Sequence, residues 1–143
     1  MNESPAYLLH KLTAEMDRTA DKLLRLHFGV SYKRALFLLV LCKQNTITQH
    51  ELATALGYSD PAVSAMLVEL IREGYVTAEP SPEHGRKRLV NITPKGASFV
   101  DKGKRFLDSH FNELMARASI DIQQYSEQTE RLYQALAKKK ERL

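Results

Sequence analysis

Residues 48 to 74 carry two short helical patterns on either side of a tight turn, each with its own start and stop signals, and that spacing admits few folds. Thr48-Gln49-His50-Glu51 has capping-box spacing: the Thr hydroxyl accepts from the third helical amide while the Glu side chain returns to the Thr amide. It predicts a helix from Thr48, with Leu52, Ala53 and Leu56 as its apolar stripe. Gly57 falls where a left-handed closing residue costs least. After the turn Gly57-Tyr58-Ser59, Asp60 is expected to cap a second helix whose first position is Pro61. Val63, Met66, Leu67, Leu70 and Ile71 repeat at helical spacing and predict one buried stripe, and Gly74 ends the run. Two helices joined by so short a glycine-containing turn have the helix-turn-helix layout, in which the second helix enters the major groove of a duplex. Taken alone, the segment also fits an ordinary helical hairpin.

The residues after Gly74 favour the helix-turn-helix. Tyr75-Val76-Thr77 and Leu89-Val90-Asn91-Ile92 read as short strands, separated by Pro80, Pro82 and Gly85. They predict a hairpin with Arg86, Lys87 and Arg88 at its tip, and Thr93-Pro94 opens a further helix. Charge is distributed to match. Residues 1 to 78 hold eight cations against eight anions, residues 79 to 105 seven against three, and residues 106 to 143 six against six. The whole excess of +4 therefore lies in the hairpin and the helix start behind it, an electrostatic footprint for a polyanion. A solvated charge run explains Lys102 to Arg105 equally well. Three adjacent cations at the tip repel one another without a partner.

In order and spacing, Thr48-Gln49-His50-Glu51-Leu52-Ala53, Gly57, Pro61-Ala62-Val63-Ser64, Leu70, Gly74 and the run Arg86 to Gly96, ending Ile92-Thr93-Pro94-Lys95-Gly96, resemble the multiple-antibiotic-resistance regulator (MarR) family of bacterial winged-helix transcription factors. The resemblance covers nearly the whole chain. It implies a mainly α fold with a small β-hairpin wing, a winged helix-turn-helix flanked by long N- and C-terminal dimerisation helices. The expected organisation is a single domain over 1-143, with a DNA-binding lobe at about 30-96 and dimerisation helices at about 5-28 and 97-143. One departure stands in the wing. The family usually carries an Asp two residues before the wing Arg, and here that position is His84, so the chain has no Asp there for the pairing that steadies the wing in relatives.

The residues agree about the ends. From Pro5 to about His27, Leu8, Leu12, Met16, Leu23 and Leu26 recur near helical spacing among charges. A second stripe runs through Ala97, Val100, Phe106, Leu107, His110, Phe111, Leu114 and Met115, and a third through Tyr125, Leu132, Tyr133 and Leu136. Such stripes usually pack within one chain. Long terminal helices have little else to bury against here, and in relatives they interlock across a two-fold axis, so an isologous homodimer is expected. The longest apolar run, Ala35 to Cys42, is eight residues, which suits a buried helix and is too short to span a membrane. With no secretory signal at Met1 to Tyr7, a cytoplasmic protein is expected. Cys42 is the only cysteine, so no disulfide closes within the chain, and it reads as a buried small hydrophobe rather than a thiol sensor. The five histidines show no metal-ligand spacing, and no phosphate loop, nucleophile elbow or carboxylate pair indicates an enzyme. No cofactor is expected.

On the second helix, the wheel opposite the buried stripe exposes Pro61, Ala62, Ser64, Ala65, Val68, Glu69 and Arg72. Relatives often place basic residues where Ala65 and Glu69 stand. Small apolar side chains meet thymine methyl groups, Ser64 can bond a base edge or phosphate, and Thr48, Gln49 and His50 can reach the backbone from the first helix. The face predicts an A·T-rich operator; its bland counterpart is an undecorated solvent face. Arg86 matches the family's wing Arg and is expected in a minor groove, with Lys87 and Arg88 at phosphates. Arg86→Ala is expected to cost about 1–3 kcal/mol and to relax site preference. The resemblance also implies a small aromatic effector held near His10, Tyr32, Phe37 and His110. The alternative for the whole chain is a winged-helix protein-interaction module whose basic tip meets an acidic protein and not DNA.

Overall fold

The computed structural model describes residues 2–44, 46–83 and 87–141. The fold is mainly helical with a small antiparallel sheet, as expected. The chain divides into two compact units, Met1–Lys104 and Arg105–Leu143.

In the first unit, α1 (Pro5–Phe28) starts at a proline whose missing amide is no loss in a first turn, and stops at Gly29 in the left-handed region at φ 69°. Leu24 is its one fully buried side chain, and Leu26, expected on the same stripe, is 86% exposed. Residues two apart point to opposite sides of a helix, so burying Leu24 turns Leu26 outward. Helix α2 (Tyr32–Lys43) is held at its start by two side chains: the Ser31 hydroxyl accepts from the Arg34 amide at 3.2 Å and the Asp21 carboxylate from the Tyr32 amide at 2.9 Å. It buries Phe37, Leu38 and Leu41. Cys42, expected to be buried, is exposed, because it follows Leu41 round onto the outer side of the helix. Partial desolvation pushes its thiol up, away from the reactive thiolate.

Asp21 makes the α1–α2 junction sensitive to acid. The Tyr32 amide, and after it the Arg25 guanidinium at 2.9 Å, hold its carboxyl below the ordinary aspartate range. A carboxylate lowered in the folded state adds stability above that range and loses it as pH falls through the native value. The thermal midpoint of Asp21→Ala should therefore lie below that of the native chain at neutral pH. The gap should close as pH is taken below about 4; a gap independent of pH would refute the assignment.

Next come β1 (Ile47–Thr48), α3 (Gln49–Leu56), α4 (Asp60–Arg72), β2 (Val76–Pro80) and β3 (Arg88–Ile92). The expected hairpin forms, with Val76 opposite Ile92 and Pro80 opposite Arg88, but its first strand starts after Tyr75 and runs on through Pro80, which was expected in the connection. β1 was not anticipated: two residues leave no alternation to read, yet Ile47 pairs with Val90 and Thr48 with Leu89, giving the order β1-β3-β2. Pairing with β3 anchors the start of α3 to the wing. The core beneath is continuous, with Phe37, Leu38, Leu52, Val63, Leu67, Leu70 and Val90 all fully buried. Phe99 closes it against Phe28 and Tyr75, at ring separations of 5.6 and 5.8 Å. Phe99 belongs to α5 (Pro94–Arg117), which the Thr93 hydroxyl caps by accepting from the Gly96 amide at 3.1 Å.

In the second unit the end of α5 and α6 (Ile122–Glu141) are joined by a turn in which Ser119 takes the left-handed conformation at φ 57°. Asp121 opens α6 by accepting from the Gln124 amide at 2.8 Å, and Phe111 packs on Tyr125 at 5.9 Å. Leu132, Tyr133 and Leu136 are exposed along α6.

Candidate nucleic-acid interface

Helix α3 begins where capping predicts, with the Thr48 hydroxyl accepting from the Glu51 amide at 3.1 Å, and closes on Gly57 at φ 71°. The cap of α4 differs from expectation. Ser59, extended at φ −72° and ψ 155°, accepts from the Ala62 amide at 3.3 Å, whereas Asp60 is already helical, one residue ahead of Pro61. Only the extended residue can aim its oxygen back at the first free amides. That leaves the Asp60 carboxylate free to take the His50 ring Nδ1 at 3.2 Å, while its charge complements the positive end of α4. A second link joins the helices, with Gln49 Nε2 donating to the Ser64 hydroxyl. Gln49, His50, Asp60 and Ser64 thus fix the two helices polar group to polar group along their outer edge.

The faces of α4 are distinct. Val63, Leu67 and Leu70 are buried, and Pro61, Ala62, Ser64, Ala65, Val68 and Arg72 are exposed as expected, Val68 to 63%. Two details change. Ile71, placed in the stripe by spacing, is 36% exposed, the core being filled by Leu67 and Leu70. Glu69, read as part of the open face, is drawn to its edge: one carboxylate oxygen receives Arg34 from α2 at 2.5 Å and Arg72 at 3.2 Å. Arg34 also holds Glu73 at 2.9 Å. This cluster had no sequence signal, since Arg34 and Glu69 stand 35 positions apart.

Lys87 and Arg88 are exposed where the wing enters β3, and the Lys87 carbonyl accepts from the Ser81 amide at 2.7 Å. Arg86 and His84 lie outside the described residues. Behind the wing, Lys95 donates to the Glu73 carbonyl at 2.6 Å and lies over the Tyr75 ring at 4.6 Å, so this cation is engaged in structure.

Of the residues expected to meet an effector, Phe37 is 0% exposed and sits within the core. Tyr32 is half-buried, and burial followed by the Asp17 carboxylate pushes its hydroxyl up, which keeps it a neutral donor. His10 is exposed on α1; His110, in the second unit, donates from Nδ1 to the Phe106 carbonyl at 2.9 Å. Among the described residues no group of three or more His, Cys, Asp or Glu side chains is placed to hold a metal, and no helix is long and apolar enough to cross a membrane.

A three-strand sheet whose hairpin flanks an exposed second helix defines the lobe as a winged helix-turn-helix. Residues 28–87 match the family model described as MarR family. A Bacillus subtilis strain 168 protein, described as the uncharacterized HTH-type transcriptional regulator YdgJ, is 27% identical over 93 residues, which is 65% of this chain and 57% of that protein. The match thus spans little more than half of that relative. In fold, the chain is similar to apo wild-type MarR from E. coli, with TM-score 0.79 and 20% identity over 95% of this chain and 99% of that one. It is also similar to MepR from S. aureus in a DNA complex, with TM-score 0.77 and 22% identity over 96% and 99%. BldR from Sulfolobus solfataricus gives TM-score 0.79 and 20% identity over 93% and 92%. Over residues 28–87 the chain is thus similar to the MarR family, and it shares its fold with these structures.

Proposed function

We propose that the protein is a sequence-specific, double-stranded DNA-binding transcriptional regulator acting as a homodimer on an inverted-repeat, A·T-rich operator. The observation that carries this reading is the outward face of α4. Ala62, Ala65 and Val68 are exposed on a helix capped by Ser59 at its start and tied to α2 through Glu69 and Glu73 at its end. Small apolar groups match thymine methyls, and Thr48, Gln49 and His50 at the start of α3 would meet the phosphates, Gln49 and His50 by exchanging their links to Ser64 and Asp60 for the duplex. Support for self-association comes from exposed apolar side chains, Leu8, Leu9 and Leu12 on α1 and, separately, Leu132 and Leu136 on α6. The fold neighbour MepR is seen in a DNA complex. Two recognition helices related by a two-fold axis call for half-sites about one helical turn, 10–10.5 bp, apart.

Fluorescence anisotropy of labelled random and A·T-rich palindromic duplexes at two salt concentrations, with sedimentation to count chains, tests the reading. Two chains per duplex, steep loss with salt and tighter retention on palindromes support it. No binding at low salt, where nonspecific affinity should show, overturns it in favour of an acidic protein partner for the wing. Lys87→Ala should weaken specific and random duplexes alike and lower the salt slope by about 1. A loss confined to the specific duplex would move Lys87 from the phosphates to the bases.

A small aromatic effector would act by preferring the non-binding separation of the two recognition helices, and release comes from that difference in affinity. His10, Tyr32 and Phe37 are the residues proposed for it on the first unit; His110, on the second, is proposed separately. Titrating phenolates while following duplex affinity tests this, and an unchanged affinity refutes the class.

A further inference from the structure

We propose that Arg34, which lies on α2 outside the helix-turn-helix, is a positioning residue for DNA binding: it holds the Glu69 and Glu73 carboxylates back so that α4 can approach the phosphates. The inference rests on the DNA-binding reading and names a residue that neither the recognition face nor the wing contains.

A helix presented to a polyanion should not carry acids near its exposed face, yet α4 and its C-cap carry Glu69 and Glu73. Glu69 follows Val68 and is one turn beyond Ala65, so an extended rotamer would carry its carboxylate towards the open face. Arg34 prevents this. Its guanidinium, 24% exposed at the start of α2, spans the gap to α4 and takes Glu69 through one terminal nitrogen and Glu73 through the other. The planar fork suits two carboxylates at once, where an ammonium would act as a single point charge. Arg72 reaches the same Glu69 oxygen at 3.2 Å, so Glu69 is held by two guanidiniums. Arg34 is fixed in turn, its amide bonded to the Ser31 hydroxyl. The clamp neutralises the acids and, by tying α4 to α2, sets the height of the recognition helix above the core.

Four proteins test this against one operator duplex: the native chain, Arg34→Ala, Glu69→Gln and the double variant, with affinity measured across a salt series and thermal midpoint recorded for each. Arg34→Ala should weaken binding on the order of tenfold at low salt, as an uncovered like charge at an interface does. The deficit should shrink as salt rises, because exposed charges are screened within a Debye length of about 10 Å at 0.1 M. Adding Glu69→Gln should restore most of the loss, and Glu69→Gln alone should not weaken binding. A deficit that ignores salt, that Glu69→Gln does not rescue, or that merely tracks a fall in thermal midpoint overturns the proposal. Should Arg34→Ala not fold, Arg34→Gln, which keeps hydrogen bonds but no charge, takes its place in the same series. Failure of the native chain to bind duplex is a separate result, which sinks the DNA-binding reading itself.

Discussion

Gly96→Ala is expected to lower the stability of the fold by about 3 kcal/mol, at the upper end of the usual overpacking cost. The position is helical, so propensity alone favours alanine by about 1 kcal/mol. Space decides the sign. A Cβ at Gly96 would stand 2.3 Å from the Tyr75 carbonyl oxygen and 2.6 Å from Ile92 Cγ1. The carbonyl cannot retreat cheaply, since it accepts from the Thr93 amide at 3.0 Å, while the Thr93 hydroxyl donates to the Gly74 carbonyl at 2.6 Å. The start of α5 and the start of β2 are thus pinned face to face, and only glycine lets them meet. Gly103→Ala, seven residues along the same helix, supplies the contrast. Its Cβ would meet nothing nearer than 3.6 Å, so relief of glycine's backbone entropy should leave the chain equally or more stable, by up to about 1 kcal/mol. Thermal unfolding should show Gly96→Ala melting roughly 10 °C low and Gly103→Ala at or above the native midpoint. A native-like midpoint for Gly96→Ala would show that the junction can relax.

The same junction separates what the sequence discloses from what it conceals. Thr93-Pro94 announced a helix start and Gly57 a helix end, because caps depend on residues three or four apart and on backbone angles few side chains accept. The stripe of α4 was legible for the same reason, although periodicity could not say where the core would run out, and Ile71 was assigned to it wrongly. Ser59 and Asp60 are adjacent and both able to cap; only the extended backbone at Ser59 decides between them. β1 and the Arg34 clamp were invisible, each being a pairing across distant positions, Ile47 with Val90 and Arg34 with Glu69. Of the candidate interface, the exposed α4 face was readable and the ion pairs at its edge were not. Glu69 looked like part of the recognition surface until its partner on α2 was in view.

That distinction gives the second large effect. Ala65→Glu should abolish operator binding, lowering affinity more than about a hundredfold, while leaving the fold intact. Ala65 is exposed at mid-helix and is not among the buried residues of α4, and glutamate is nearly as good a helix former as alanine, so the thermal midpoint should hardly move. Its charged neighbour one turn on is Glu69, which already engages Arg34 and Arg72, so neither of those cations is left to neutralise a new carboxylate there. Pressed against a groove it would be desolvated, unpaired and close to phosphates, a like-charge contact costing several kcal/mol. Val68→Ala, by comparison, removes only apolar contact, and should cost about 1 kcal/mol and blunt the preference for thymine at one base pair of each half-site. Duplex titration of both variants, with sedimentation to confirm unchanged assembly, separates the outcomes. Native-like binding by Ala65→Glu would place the groove-facing surface elsewhere than on α4. Equal losses from both variants would mean that the helix lies near the duplex without reading it, leaving specificity to the wing.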